Sequence, residues 1–403
     1  MMSAVDQNEK EVDKSPSDFN PDFSSIRSLK ELIEKVSGKD IKPYDYQDTG
    51  IAEPLFFPFL AIVGQFEMKL ALILSIINPN IGGVLLIGPR GTAKTTSVRG
   101  LSEILPLVEN SICPSGCLPE EIENYGIDAV CPDCAQKYGQ NLPISKKTKV
   151  NIVELPLNAQ LDNVIGSLDE KYLNEHRMRL KRGVLSLADN NILYIDEVNL
   201  LSNEIINSIL DASAMGKYTV RRGSVFATFR SRFTLIGSMN PEEGNLRPQI
   251  MDRFGLRVVT SGLTDSSDRL EAYNRASQYL RNPNEFLNNY IDENLQARNE
   301  IETARKFVRN VTINKKIATI GIELIRDLNI HSLRAEITLF EAAKALAATE
   351  ARDQVSITDL QTVVPMALRL RRSPFITNFI ENNKQEEIEI STYLDRKMNS
   401  GTG

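Results

Sequence analysis

The sequence predicts an α/β fold in which a five-stranded parallel sheet is followed by an all-α domain. Short apolar runs alternate with longer segments up to about residue 263, which is typical of strands joined by crossover helices. After about Thr264 no further strand-like run occurs, and apolar residues recur at helical spacing. The strand-like runs are Val84–Ile87, Asn151–Leu155, Ile192–Ile195, Phe233–Gly237 and Leu256–Val259.

This pattern divides the chain of 403 residues into four parts. Residues 1–53 form a polar tail, disordered to about Phe23, with one short amphipathic helix over residues 26–36. A nucleotide-binding α/β domain follows over 54–263, then an all-α lid domain over 264–375 and a C-terminal tail over 376–403. The predicted lid helices are Asp268–Tyr279, Leu295–Asn310, Lys315–Asp327 and Ala335–Arg352.

Composition and charge indicate an ordinary soluble protein. Hydrophobic residues make up 41% and charged residues 25%, and the net charge of −6 argues weakly against a nucleic-acid surface. No apolar run approaches the length of a membrane span, and the polar start does not resemble a signal peptide, so we expect a cytoplasmic protein. The two histidines, His176 and His331, lie far apart in the sequence, so a histidine-built metal or hydrolase site is not expected.

A phosphate-binding loop follows the first strand. The segment Gly88-Pro-Arg-Gly-Thr-Ala-Lys94-Thr95 opens a helix, so its backbone N–H groups and the helix dipole favour an anion. Lys94 can reach the β- and γ-phosphates of ATP, and the Thr95 hydroxyl can hold Mg²⁺. Ala93 replaces the glycine of the usual pattern, so either this position does not need a positive φ or the loop is strained. The predicted nucleotide-binding residues of the loop are Gly88, Gly91, Thr92, Ala93, Lys94, Thr95 and Thr96.

Acidic and amide side chains follow two later strands. Asp196 and Glu197 follow Ile192–Ile195, where Asp196 can bind or orient Mg²⁺ and Glu197 can polarise the attacking water. Asn240 ends a third strand and can orient the water or contact the γ-phosphate; alone, it would be a turn residue before a proline. Ligands of open α/β sheets bind at the carboxyl ends of the strands, so these side chains and the loop predict one ATP site.

Two arginines outside the loop are candidates for stabilising the transition state. Arg253 precedes the last strand-like run, and Arg334 starts a helix of the second domain. A guanidinium against the γ-phosphoryl oxygens is worth roughly 10³ to 10⁵ in rate, and an arginine from another domain or subunit would make hydrolysis depend on assembly. The alternative is that each arginine forms a surface salt bridge.

All four cysteines fall in one insertion, residues 111–136. Their spacing is Cys113-x3-Cys117-x13-Cys131-x2-Cys134, and four thiolates can form a closed tetrahedral Zn²⁺ site. A structural zinc ion is the first hypothesis; an iron–sulfur cluster, a redox disulfide pair and unrelated thiols stay open as alternatives. The segment has few apolar residues, so a metal ion would give it a reason to be ordered.

Several segments resemble, in order, the ATPase (I) subunit of magnesium chelatase, which is an AAA+ protein. The resemblance covers about Pro54 to Arg372, and its block from Asn240 to Gly255 is much more specific than a phosphate-binding loop alone. The resembling segments are Leu60–Gln65, Gly82–Gly88, Leu193–Leu201, Gly237–Gln249 and Asp252–Leu256.

The resemblance implies roles for residues of the ATP site. Asp196 and Glu197 match the Walker B pair, and Asn240 matches the sensor-1 residue. Ile62 and Val63 lie in the segment that packs near the adenine.

The same resemblance implies a ring. Arg253 matches the arginine finger given to the neighbouring subunit, a role that Arg247 could share, and Arg334 matches sensor 2. The implied assembly is a homohexamer that hydrolyses ATP beside an AAA+ partner with an integrin-like, von Willebrand A-type domain. A large porphyrin-binding subunit then receives Mg²⁺ into protoporphyrin IX.

The cysteine cluster and a basic stretch, Tyr218–Phe233, depart from the family pattern. Its residues alternate in the way that is typical of a β-hairpin. Related AAA+ proteins use this hairpin to bind DNA or to face partner proteins. The alternative is a hairpin that only contacts solvent. The acidity of the chain favours a partner-facing role. Two other functions stay open: a chaperone-like AAA+ motor with a von Willebrand-type partner outside tetrapyrrole synthesis, and a nucleic-acid translocase.

Overall fold

The computed structural model describes residues 55–113, 116–168, 180–222 and 225–373, together with 378, 385, 387–390 and 392. The predicted N-terminal tail and its helix, His176 and most of the predicted C-terminal tail lie outside the described residues.

Five strands form one sheet in the order β11-β1-β10-β7-β4, and every pair is parallel, as predicted. In the centre, Val84 of β1 pairs with Ile236 of β10 on one side and with Leu256 of β11 on the other. Three antiparallel pairs, β2–β3, β5–β6 and β8–β9, lie outside this sheet. The strands are β1 (Val84–Ile87), β2 (Leu107–Ser111), β3 (Ser145–Lys149), β4 (Ile152–Leu155), β5 (Gly166–Leu168), β6 (Leu180–Arg182), β7 (Ile192–Ile195), β8 (Lys217–Arg222), β9 (Val225–Arg230), β10 (Thr234–Met239) and β11 (Leu256–Val259).

Helices connect the strands of the sheet and form most of the described chain from residue 266 to residue 368. The four predicted lid helices correspond to α9 (Ser266–Arg281), α11 (Ile291–Phe307), α12 (Lys315–Asp327) and α13 (Arg334–Thr349). Two further helices were not predicted: α10 (Pro283–Asn288) has only 6 residues, and α14 (Ile357–Leu368) contains Pro365. No described helix is long and apolar enough to cross a membrane. The helices are α1 (Phe66–Ile77), α2 (Lys94–Gly100), α3 (Pro119–Tyr125), α4 (Pro132–Gly139), α5 (Leu161–Ile165), α6 (Val184–Leu187), α7 (Asn203–Met215), α8 (Pro248–Met251), α9 (Ser266–Arg281), α10 (Pro283–Asn288), α11 (Ile291–Phe307), α12 (Lys315–Asp327), α13 (Arg334–Thr349) and α14 (Ile357–Leu368). Short 3-10 helices lie at Phe59–Ala61, Pro79–Ile81, Leu101–Glu103, Ile127–Ala129, Val198–Leu200, Pro241–Glu243 and Val308–Asn310.

Alternate residues of the sheet enter two different apolar clusters. Leu86 of β1 belongs to a cluster that includes α1 and the buried faces of α13 and α14, whereas Leu85 belongs to one that includes α7. The helical part therefore shares its core with one face of the sheet. Polar contacts reinforce this packing, since Asn78 donates to the Glu341 carboxylate over 2.7 Å.

The segment that contains the cysteines begins and ends at a two-stranded antiparallel stem. Strand β2 pairs antiparallel with β3, with Ser111 opposite Ser145. The stem encloses residues 112–144, which carry α3 and α4 and which we name the cysteine module. The predicted basic hairpin is also present as β8–β9, with Arg221 opposite Phe226.

Candidate nucleotide-binding and cysteine sites

The phosphate-binding loop and the ends of β7 and β10 surround one cavity of about 220 Å³. The parallel strands bring their carboxyl ends to the same edge of the sheet, so residues more than 100 positions apart become neighbours. The lining residues are Arg90, Gly91, Thr92, Ala93, Lys94, Thr95, Thr96, Asp196, Glu197, Ser238, Met239 and Asn240.

The loop geometry resolves the question raised by Ala93. Its φ is 63°, in the left-handed region, so the loop is strained at this residue by about 1–2 kcal/mol relative to a right-handed conformation. Gly91 also has a positive φ, of 79°. Gly88 is required for another reason, since a Cβ there would lie 2.3 Å from the carbonyl oxygen of Thr260.

Lys94 is buried at the start of α2, with its ammonium group inside the loop. Its Nζ donates to the carbonyl oxygens of Gly88 and Pro89, each over 2.7 Å. Burial lowers the pKa of Lys94, although the Asp196 and Glu197 carboxylates act in the opposite direction. The Lys94 ammonium donates these two hydrogen bonds to neutral carbonyl oxygens, so it can exchange them for contacts with the phosphates of a bound nucleotide.

Three hydroxyl groups surround the Asp196 carboxylate. Thr95 donates to its Oδ2 over 3.1 Å, Tyr194 donates to its Oδ1 over 2.9 Å, and Ser238 also donates to Oδ1. Burial raises the pKa of the Tyr194 phenol, so this group stays a neutral donor. Neither Tyr194 nor Ser238 was predicted; the available signal was the phenol in the otherwise apolar β7 and the hydroxyl near the end of β10.

Glu197 and Asn240 lie at the same edge, and both contact further charged groups. The Glu197 backbone is left-handed (φ 51°), and its Oε1 lies 3.4 Å from Nη2 of Arg90. The same Arg90 nitrogen lies 2.6 Å from Oε1 of Glu243. Asn240 is buried and its Nδ2 lies 3.3 Å from that Glu243 oxygen. Arg90 is a loop residue that sequence analysis did not single out.

A second cavity, of about 240 Å³, shares the loop residues Gly91, Thr92, Ala93 and Thr96 with the first and is mainly apolar. Ile62 and Val63 line it, as the resemblance implies for an adenine pocket. Gln65, which ends the segment that the resemblance places near the adenine, also lines it. The other lining residues, none of which was predicted, are Phe57, Ala61, Gly262, Leu263, Ala272 and Ala276.

The candidate arginines lie elsewhere. Neither Arg253 nor Arg334 is among the described residues that line the two cavities. Arg253 forms an ion pair with Asp211 at 3.0 Å and remains 34% exposed, while Arg334 and Arg247 are exposed. The structure thus gathers the loop, Asp196, Glu197 and Asn240 into one site but leaves these arginines on other surfaces of the same chain.

Asp252 connects the segments that carry Arg253 and Arg334. Ser332, two residues before Arg334, donates to Asp252 over 3.0 Å. Arg371, fully buried, donates to Asp252 over 2.8 Å and to the Gly255 carbonyl over 2.9 Å. Asp252 therefore joins the segment that carries Arg253 to the segment that carries Arg334.

The four cysteine sulfur atoms converge in the cysteine module. All four lie within 4.8 Å of one another, and no disulfide joins them. Four Zn–S bonds of about 2.3 Å in a tetrahedron need sulfur–sulfur distances of about 3.8 Å, so the group fits a single ion after small adjustments.

Hydrogen bonds to the sulfur atoms also suit a metal-thiolate site. The Cys117 N–H donates to Cys113 Sγ over 3.3 Å, the Ser111 hydroxyl donates to the same atom over 3.4 Å, and the Cys131 N–H donates to Cys117 Sγ over 3.2 Å. Burial raises the pKa of Cys113, but these donors outweigh burial and lower it to about 6. Burial raises the pKa of Cys117 to about 11, and the neighbouring Cys113 and Cys131 side chains act in the same direction.

Comparison with known proteins gives two partial family matches. The profile of the AAA lid domain matches residues 321–390, and that of the MCM P-loop domain matches residues 166–267. A crystal structure of a Cytophaga hutchinsonii protein shares the fold, with a TM-score of 0.50 at 22% identity, covering 78% of this chain and 84% of that one.

Two relatives match over most of their length. The magnesium-chelatase subunit ChlI homolog of Methanocaldococcus jannaschii is 43% identical over 336 residues, which cover 82% of this chain and 90% of that protein. The chloroplastic magnesium-chelatase subunit ChlI of Nicotiana tabacum is 42% identical over 322 residues, covering 79% of this chain and 75% of that protein.

Proposed function

Because the chain belongs to the magnesium-chelatase subunit ChlI family, we propose that it is an AAA+ motor subunit whose ATP hydrolysis drives Mg²⁺ insertion into protoporphyrin IX by partner subunits. The observation that carries the proposal is the single cavity in which Lys94, Thr95, Asp196, Glu197 and Asn240 meet. An adjoining apolar cavity has space for a purine base.

In this proposal the chain's own residues bind and cleave ATP. The N–H groups at the start of α2 and the Lys94 ammonium bind the phosphates. Glu197 accepts a proton from the water that attacks the γ-phosphorus, and Asn240 orients that water. The bond to the bridging oxygen breaks, and ADP and inorganic phosphate leave.

Thr95 and Asp196 would hold the Mg²⁺ that accompanies ATP. Their hydroxyl and carboxylate oxygens are the ligand types that this ion prefers, and the two side chains already contact each other. Held there by Thr95 and Asp196, the ion would supply positive charge against the phosphate oxygens.

We further propose that Arg253 and Arg334 act across subunit boundaries of a hexameric ring. Their positions outside the chain's own nucleotide cavities support this role, and Arg247 is the rival to Arg253. The ring would work with an AAA+ partner that carries a von Willebrand A-type domain and with a porphyrin-binding subunit. We also propose that the four cysteines hold one structural Zn²⁺, rather than an iron–sulfur cluster, since their sulfur atoms lie closer together than several irons would require.

Reconstitution with the two partner subunits tests this function. We expect ATP-dependent formation of magnesium protoporphyrin, followed by its fluorescence, and loss of both product and phosphate release in Glu197→Gln. Glu204→Gln, an exposed carboxylate of α7, is the control and should retain activity. Absence of ATP hydrolysis would overturn the proposal, while hydrolysis that DNA stimulates with a steep salt dependence would favour a translocase. Hydrolysis without chelation, with all partners present, would favour a chaperone-like motor.

A further inference from the structure

The cysteine module contacts the base of the β8–β9 hairpin through one arginine. Arg230, the last residue of β9, forms an ion pair with Glu121 of α3, and the two side chains are only 15% and 12% exposed. Gly116, between two of the cysteines, packs on the stem of Arg230, since a Cβ there would lie 3.4 Å from Arg230 Cδ. The segment that holds Cys113 and Cys117 therefore touches the hairpin directly.

A second arginine joins the cysteine segment to the strands beside the hairpin. Arg182 of β6 donates to the carbonyl oxygen of Cys113 over 2.8 Å. Its partner strand β5 contacts β8, and helix α6 contacts β9. Arg182, Arg230 and Cys113 line one cavity of about 150 Å³ between these elements.

The register shows which face of the hairpin meets the cysteine module. Alternate residues of a strand point to the same side, so Arg230 shares a face of the hairpin with Thr228 and Phe226. Near the base of the hairpin, the cysteine module covers this face by its contact with Arg230. Farther along the same face, Phe226 is 73% exposed. The opposite face is buried through Val220 and Phe229.

The cysteine module has little apolar core of its own. Among its described residues, the buried apolar cluster consists of Cys113, Cys117, Cys134 and Ile144, packed by Ile122, Val130 and Cys131. Without a metal ion, the order of this segment would depend on this small apolar cluster. Glu121 lies on α3, in the part of this segment between Cys117 and Cys131.

We propose that the metal ion at the four cysteines fixes the position of the β8–β9 hairpin, through the Glu121–Arg230 ion pair and the Arg182 contact, and does so independently of the nucleotide cavity. The inference rests on the zinc ion proposed above. It makes the cysteine module a metal-dependent support for an exposed hairpin, rather than a part of the ATPase machinery.

Hydrogen exchange of the full-length protein, combined with elemental analysis, tests the proposal. Glu121→Gln should keep about one zinc per chain but raise amide exchange in residues 217–230 at least about tenfold, because it leaves Arg230 without its partner. Cys131→Ser with Cys134→Ser should lose the zinc and raise the same exchange, while exchange in residues 88–96 and ATP binding stay as in the wild type. Glu120→Gln, an exposed neighbour on α3, is the matched control and should change neither quantity.

The outcomes separate this inference from the functions proposed above. A protein purified without metal would overturn both the zinc site and the inference. A zinc protein whose hairpin exchanges equally with and without metal, or whose Glu121→Gln variant matches Glu120→Gln, would overturn the inference alone. Absence of ATP hydrolysis in the unaltered protein would instead count against the motor function. The hydrogen-exchange comparison would still decide the inference about the hairpin.

Discussion

The hydroxyl of Thr95, in the first turn of α2, donates a hydrogen bond to the carboxylate of Asp196 at the end of β7, with 3.1 Å between Oγ1 and Oδ2. This bond joins the phosphate-binding loop to a strand 101 residues later in the chain. Two oxygen groups suited to Mg²⁺ are thus in contact before the ion binds, and Tyr194 and Ser238 fix the carboxylate from the strand side.

Removal of the Tyr194 hydroxyl should weaken Mg²⁺ binding and leave unchanged the groups that bind the phosphates and activate the water. In Tyr194→Phe we expect the Mg²⁺ concentration for half-maximal ATP hydrolysis to rise about 10-fold or more, since outer hydrogen bonds orient metal ligands. Tyr273→Phe, on an exposed tyrosine, is the control. An unchanged Mg²⁺ dependence would show that Tyr194 only fills space.

Lys94 and Glu197 should separate binding from hydrolysis. Lys94→Ala removes the cation that contacts the phosphates, so we expect ATP affinity to fall at least about 100-fold. Glu197→Gln should bind ATP within a few-fold of the wild type but turn over roughly 10² to 10⁴ times more slowly, because the amide cannot accept the proton. Equilibrium binding and steady-state phosphate release measure the two effects, and near-normal turnover by Glu197→Gln would contradict its role as the base.

Arg253 should act on the nucleotide of a neighbouring subunit. Arg253→Ala should bind ATP almost normally yet lose about 10³-fold in turnover, because its contact forms mainly with transition-state charge. Mixed with Lys94→Ala chains it should regain part of the activity, since some interfaces then combine an intact loop with an intact arginine. Arg247→Ala tests the rival residue and should stay active. If the folded variants form mixed rings but regain no activity, Arg253 acts on the nucleotide of its own subunit.

Arg371 should contribute strongly to the stability of the contact between the chain after α14 and the segment before β11. Its guanidinium is fully buried and bonds Asp252 and several carbonyl oxygens, so Arg371→Ala should cost about 3 kcal/mol, the lower end for a broken buried pair, since Asp252 is partly exposed. Arg372→Ala, at the exposed next position, should cost less than about 1 kcal/mol. Urea denaturation of both variants compares the two, and equal midpoints would contradict the assignment.

Ala93→Gly should relieve strain in the phosphate-binding loop. The left-handed backbone at Ala93 favours glycine, so we expect a gain in stability of up to about 1 kcal/mol. Ala297→Gly, within helix α11, should have the opposite sign and cost about 1 kcal/mol. A destabilised Ala93→Gly protein would show that the loop is held in this conformation without strain.

Local patterns in the sequence were sufficient for much of the fold and the site. The alternation of apolar runs predicted the five parallel strands, because burial on both faces makes these strands mostly apolar. The loop from Gly88 to Thr95 and the acidic pair Asp196–Glu197 could be assigned to one site, because each directly follows a strand and parallel strands end at one edge. The cysteine spacing likewise predicted a cluster, whose sulfur atoms do converge.

Contacts between distant segments decided the rest. Arg371 lies in a basic run that reads as surface charge, yet it is buried against Asp252, 119 residues earlier. Tyr194 looks like one more core residue of a strand, yet its hydroxyl holds the Asp196 carboxylate. The ion pair between Glu121 and Arg230 is also invisible in the sequence. Spacing along the chain fixes which residues share a strand or a turn, whereas hydrogen bonds and ion pairs between separate elements depend on how those elements pack.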